Sequence, residues 1–160
     1  MTDPRESRLR LTHIMSAHDT NLMGTVHGGV VIKLVDDAAG TVSARYASGP
    51  SVTAFMDEMA FVAPVRVGDV LSVAAQVNWT GSSSMEVGVR VEATRWDEIT
   101  EPVHVASAYL VMVAVDLTGR PRPVPPLTPT TEQDHRRHRE AGIRREHRLA
   151  RRAAILASRA

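Results

Sequence analysis

Apolar and polar residues alternate through several stretches of this chain and follow a helical spacing through one. Arg8-Leu9-Arg10-Leu11-Thr12-His13-Ile14 puts its leucines on one face and its charges on the other, as a half-buried strand does. From about Gly29 to Tyr46, Val31, Leu34, Val35, Ala38 and Val42 recur at helical spacing, which predicts one long helix ended by Ser48-Gly49-Pro50. Strand patterns follow. Val52, Ala54 and Met56 alternate up to Phe61, and Leu71, Val73, Ala75, Val77 and Trp79 alternate after a turn at Gly68-Asp69. Met85, Val87, Val89, Val91 and Ala93 form the cleanest period-two run, and Val103, Val105, Tyr109, Val111, Val113 and Val115 form the last. Asp116-Leu117-Thr118-Gly119-Arg120 reads as a turn. Pro121 to Pro129 then lead to a terminal helix, where Thr130 and Gln133 have capping-box spacing.

Short strand, long helix, then four strands joined by short turns predict an antiparallel meander that covers the helix. The expected class is α+β: a single domain over residues 8–120 with an antiparallel five-stranded sheet wrapped around one long helix. A proline-rich linker (121–129) and a basic C-terminal helix (130–160) complete it. A chain of 160 residues is long enough for one such core. One helix leaves other surface to cover, so dimerisation through the helix or a sheet edge is expected.

Charge separates the tail from the rest. Residues 1–131 hold ten Lys/Arg against fourteen Asp/Glu, while residues 132–160 hold nine Arg against four acids. An arginine-rich tail suits anionic partners, yet this one has no aromatic residue for base stacking and no zinc-finger or basic-zipper pattern. The expectation is a solvated helix packing on a partner subunit, with no nucleic acid and no membrane. The chain has no cysteine, which removes disulfides and thiolate nucleophiles. Its charged start, Met1 to Arg8, lacks a signal-peptide core and no apolar run reaches membrane-spanning length, so a cytoplasmic protein is expected.

Candidate chemistry lies in Asn21-Leu22-Met23-Gly24-Thr25-Val26-His27-Gly28-Gly29 and the helix that follows. Paired glycines at a helix start offer backbone N–H groups, and a carboxylate within the helix offers a base. Asp37 has Lys33 four residues before it and Thr41 four after, which marks a polar face. Asp36 shares its face with Ile32, Ala39, Gly40 and Ser43, so partial desolvation is expected there. Eight residues separate Gly28 from Asp36, about 12 Å along a helix, too far for one carbonyl to touch both. Two antiparallel helices across a dimer interface would bring Asp36 of one protomer to the Gly28-Gly29 end of the other.

The Asn21-to-Gly29 stretch, Asp36, Phe61-Val62-Ala63-Pro64-Val65, Gly68-Asp69, Gly81-Ser82-Ser83-Ser84-Met85-Glu86-Val87 and Val113-Ala114-Val115-Asp116 together resemble the hotdog-fold acyl-CoA thioesterases of the cytosolic or brain acyl-CoA hydrolase type. The resemblance covers nearly the whole chain. It implies hydrolysis of fatty acyl-CoA to free acid and CoA by a trimer of hotdog dimers, in which residues at the positions of Asn21 and Asp36 come from different hotdog units. Asp36 would then be general base or nucleophile. Asn21 would orient water or the carbonyl, and Gly28 or Gly29 would donate an N–H to the developing oxyanion.

Further residues stay open at this stage. Gly81-Ser82-Ser83-Ser84 is either a cradle for a CoA phosphate or a hairpin turn. Arg66, Arg90, Arg95 and the tail arginines are alternative phosphate partners. His27 would be the essential base if the chain were instead a hotdog dehydratase or hydratase. A third class is a non-catalytic acyl-CoA-binding module using its basic tail. His135 and His138 lack an obvious carboxylate partner, so no metal is expected, and no cofactor beyond the CoA of the substrate. No P-loop, dinucleotide fingerprint or Gly-x-Ser-x-Gly elbow occurs.

Overall fold

The computed structural model describes residues 7–159, so the Met1-to-Glu6 part of the charged start lies outside the described residues. The elements are β1 (Arg8–Ile14), α1 (Gly28–Tyr46), β2 (Ser51–Phe61), β3 (Asp69–Thr80), β4 (Ser84–Arg95), β5 (Val103–Ala114) and α2 (Glu132–Ala157). All five strands form one antiparallel sheet in the order β1-β3-β4-β5-β2. The expected meander therefore holds only for β3, β4 and β5. β2 leaves α1 at the far edge and pairs with β5, and the segment after Phe61 crosses the sheet end, where Val65 accepts from the Val26 N–H at 2.8 Å.

Apolar spacing explains how α1 is seated. Val31, Val35, Ala38, Ala39, Val42 and Tyr46 are buried on one stripe against Leu71, Val73, Val77, Val87 and Leu110 of the sheet. Alanines in mid-stripe let the helix approach the strands closely. At its end Arg122 donates to the Ala47 carbonyl at 2.7 Å and to that of Val115 at 3.1 Å, tying the helix terminus to the exit of β5.

β2 departs from simple alternation. Thr53 pairs with Met112 and Phe55 with Val111, then Met56 with Leu110 and Glu58 with Tyr109, so Ala54 and Asp57 are extra residues at two bulges. Val52 and Ala54 are consequently exposed, whereas Met56 and Met59 pack on the core.

α2 lies on the sheet face opposite α1. Its partners Gln76, Glu86 and Tyr109 alternate along their strands with the core-facing residues. The arginine-rich helix thus packs on the chain's own sheet, a contact that the sequence pattern did not suggest. Its cap is one residue later than the spacing suggested: Thr131 and Asp134 form the capping box. A carboxylate at that position wins because it also receives Arg8 and Gln76, each at 2.8 Å.

Candidate active site

The start of α1 is held by hydrogen bonds of its approach loop. Asn21 closes a tight turn: its side-chain oxygen accepts from the Met23 N–H at 2.8 Å, and its amide donates to the Thr25 hydroxyl at 2.8 Å. Gly24, at φ 78°, supplies the left-handed residue that this turn needs. His27 caps the helix; its Nδ1 accepts from the Gly29 N–H at 2.9 Å. The choice between Gly28 and Gly29 is thereby narrowed. Gly29's N–H is occupied, while that of Gly28 has no partner among the described residues. Gly28 lines a cavity of about 350 Å³ with Thr25, Val31, Phe61 and Val65, and a β-carbon there would lie 3.7 Å from the Phe61 ring.

Asp36 is exposed in the single chain, contrary to the partial desolvation expected from its neighbours. The buried stripe of α1 turns Val35, Ala38 and Ala39 to the sheet and leaves Ile32, Asp36 and Asp37 outside. Its carboxylate accepts a hydrogen bond from the Thr53 hydroxyl at 2.5 Å. Both line a groove of about 770 Å³ with Gly40, Ser51, Val52 and Met112. Asp37 also borders this groove but pairs with Lys33 at 2.5 Å, an exposed contact worth a few tenths of a kcal/mol. Sequence reasoning missed Thr53, because the bulge at Ala54 hides which face each residue of β2 takes.

The Asp36 groove and the Gly28 cavity share no lining residue. Within one chain, the Gly28 N–H and the Asp36 carboxylate open onto separate surfaces.

Gly81-Ser82-Ser83-Ser84 is the β3–β4 hairpin. Gly81 donates to the Ser84 carbonyl at 2.8 Å, and the carbonyls of Ser83 and Ser82 accept from Ala114 and Val124 at 2.9 and 3.0 Å. Its three hydroxyls make no hydrogen bond among the described residues, so the turn is structural through its backbone and open through its side chains. Arg90 is bound to Glu92 and Arg95 to Asp69, each at 2.8 Å, whereas the Arg66 guanidinium has no such partner among the described residues. Nowhere among the described residues do three His, Asp or Glu side chains gather as a metal site requires.

One helix embraced by five antiparallel strands defines a hotdog unit. The thioesterase superfamily matches residues 23–95, a span that includes Gly28, Asp36, Thr53 and the serine turn. The cytosolic acyl coenzyme A thioester hydrolase of Mus musculus is 37% identical over 135 residues, 84% of this chain and 35% of that protein. The chain spans about a third of the length of the mammalian relatives it matches. A hexameric acyl-CoA thioesterase solved in its apo form superposes with a TM-score of 0.90 at 36% identity, covering 95% of this chain and 97% of the other. An acyl-CoA hydrolase from Staphylococcus aureus, in complex with butyryl coenzyme A, coenzyme A and coenzyme A disulfide, gives a TM-score of 0.86 at 30% identity over 97% and 94% of the two chains. Structures of that hydrolase include alanine replacements of an asparagine, of an aspartate fifteen residues later, and of a threonine seventeen residues beyond it. The present chain belongs to the thioesterase superfamily.

Proposed function

We propose that this chain is an acyl-CoA thioesterase, hydrolysing fatty acyl-CoA to free acid and CoA at sites shared between protomers of a homo-oligomer. The observation that carries this reading is the division of the site. Gly28 presents an unpaired N–H at the positive end of α1, and Asp36 faces a different groove on the same helix. Two chains with their helices antiparallel supply two complete sets, each taking its glycine end from one chain and its carboxylate from the other. The spacing adds support: fifteen and seventeen residues also separate Asn21, Asp36 and Thr53.

In the proposed reaction the thioester carbonyl oxygen accepts from Gly28, whose N–H stabilises the charge that develops there. Asp36 of the other protomer removes a proton from the water that attacks the carbonyl carbon and passes it to the departing CoA thiolate, or it attacks the carbon itself, expelling the thiolate, and the resulting mixed anhydride is cleaved by water, whose protons end on the thiolate and the free acid; either route regenerates the carboxylate. Asn21 orients the water or carbonyl, which requires its side chain to exchange a turn hydrogen bond for one to substrate. Side chains, backbone and water suffice for these steps; CoA enters as part of the substrate. The free hydroxyls of Ser82, Ser83 and Ser84 are the proposed partners of a CoA phosphate. A trimer of hotdog dimers is the proposed assembly, supported by the hexameric relatives. A cytoplasmic location is proposed from the name of the mammalian relatives.

Thiol release measured over a series of acyl chain lengths tests the reading. Asp36→Ala and Asn21→Ala are expected to lower kcat by on the order of a hundredfold, the usual scale for one acid–base or oxyanion-site group. Undiminished hydrolysis by Asp36→Ala removes the proposed mechanism, and absence of thiol release from every acyl-CoA removes the activity.

A further inference from the structure

The outer helix grips the same strand that holds the candidate catalytic carboxylate. β2 lies at the sheet edge, hydrogen-bonded to β5 alone, and its two bulges at Ala54 and Asp57 interrupt even that ladder. Bulges also decide which way its side chains point. Thr53 turns toward α1 and donates to Asp36, whereas Phe55 and Asp57 turn to the opposite face, under α2.

There α2 closes on them. Arg148 forms an ion pair with Asp57, and the two side chains are only 16% and 7% exposed. The guanidinium groups of Arg148 and Arg151 lie 5.7 and 5.8 Å from the centre of the Phe55 ring. One turn earlier, Arg144 anchors the helix: it binds both carboxylate oxygens of Glu86, at 2.6 and 3.1 Å, and stacks 3.6 Å from the Tyr109 ring. Exposed ion pairs hold little in place, but a desolvated pair at a bulge fixes a residue that has no ladder partner.

We propose that Arg148 is a positioning residue: by clamping Asp57 at the second bulge of β2, it sets the register of the strand and so the place of the Thr53 hydroxyl against Asp36. The inference rests on the reading of Asp36 as the catalytic carboxylate. It gives the arginine-rich helix a task in the reaction that its charge alone does not suggest.

The test is steady-state thiol release from a fatty acyl-CoA by the full chain. Arg148→Met is expected to lower kcat on the order of tenfold with KM unchanged, since small displacements of a catalytic group act on the chemical step. Arg148→Lys, which keeps the charge, is expected to recover most of the loss. Glu146→Gln, a loss of charge at an exposed residue of the same helix, is expected to match the parent chain. If Arg148 acts through Thr53, Thr53→Ala combined with Arg148→Met is no slower than Thr53→Ala alone, whereas a merely structural role gives additive losses. Where Arg148→Met fails to fold, Asp57→Asn carries the same comparison. Parent-level kcat in Arg148→Met, or additivity with Thr53→Ala, overturns the proposal provided Asp36→Ala is inactive; activity in Asp36→Ala overturns the reading beneath it.

Discussion

Gly29 cannot donate to an oxyanion while His27 caps the helix, because its single N–H already points at the imidazole Nδ1. That hydrogen bond fixes two roles together. Within the glycine pair Gly28 is left as the proposed donor, and His27 is bound up as a cap whose Nδ1 must be unprotonated to accept. A histidine so engaged is poorly placed as the essential base of a dehydratase. His27→Ala is therefore expected to leave thiol release within a few-fold of the parent while lowering stability by about 1 kcal/mol, the usual worth of an N-cap; thiol-release kinetics and thermal unfolding measure the two effects. Asn21, Gly28 and Asp36 are readable from the sequence as candidates because their motif is local to one loop and one helix. Thr53 is not, since its contact with Asp36 depends on a bulge that alternation alone does not reveal. Nor is the exposure of Asp36, which follows from how the helix rolls on the sheet rather than from which residues share its face.

At the level of elements, α2 shows how a polar helix is held without an apolar stripe. Asp134 lies at its start, where it accepts from Thr131 and Gln76 and pairs with Arg8. Burial pushes this carboxyl upward, but the hydrogen bonds from Thr131 and Gln76 and the charge of Arg8 outweigh it and hold the pKa at about 2. A folded-state value below the ordinary 3.8 favours folding wherever the carboxylate is ionised. This contribution is complete above about pH 4 and is lost as pH falls toward 2. Asp134→Asn is expected to destabilise the parent at pH 7 and to weaken the pH dependence of unfolding between about pH 4 and 2; denaturant titrations at both ends of that range measure it. The extents of all seven elements were readable from periodicity to within a few residues. Their connections were less so. Short turns predict neighbours, yet β2 follows α1 to the far edge of the sheet, a choice set by where the helix ends and by Arg122 joining that end to β5.

The whole molecule poses a question of stoichiometry. α1 carries at one end an N–H without a partner among the described residues and a carboxylate on a separate groove, so on the proposed mechanism a single chain holds two halves of different sites. A dimer with antiparallel helices then has two sites, each taking Gly28 and Asn21 from one protomer and Asp36 from the other. Asp36→Ala and Asn21→Ala each disable both sites of a homodimer. In a mixed dimer, however, one site collects both replacements and the other collects none. Random mixing makes half of the dimers mixed, and half of their sites intact. Denaturing and reassembling equal amounts of the two inactive chains is therefore expected to restore about a quarter of the parent kcat per chain, on the population arithmetic of independent sites. A site confined to one protomer would restore nothing, because every chain would carry one lesion. The recovered fraction distinguishes these cases without a structure of the assembly.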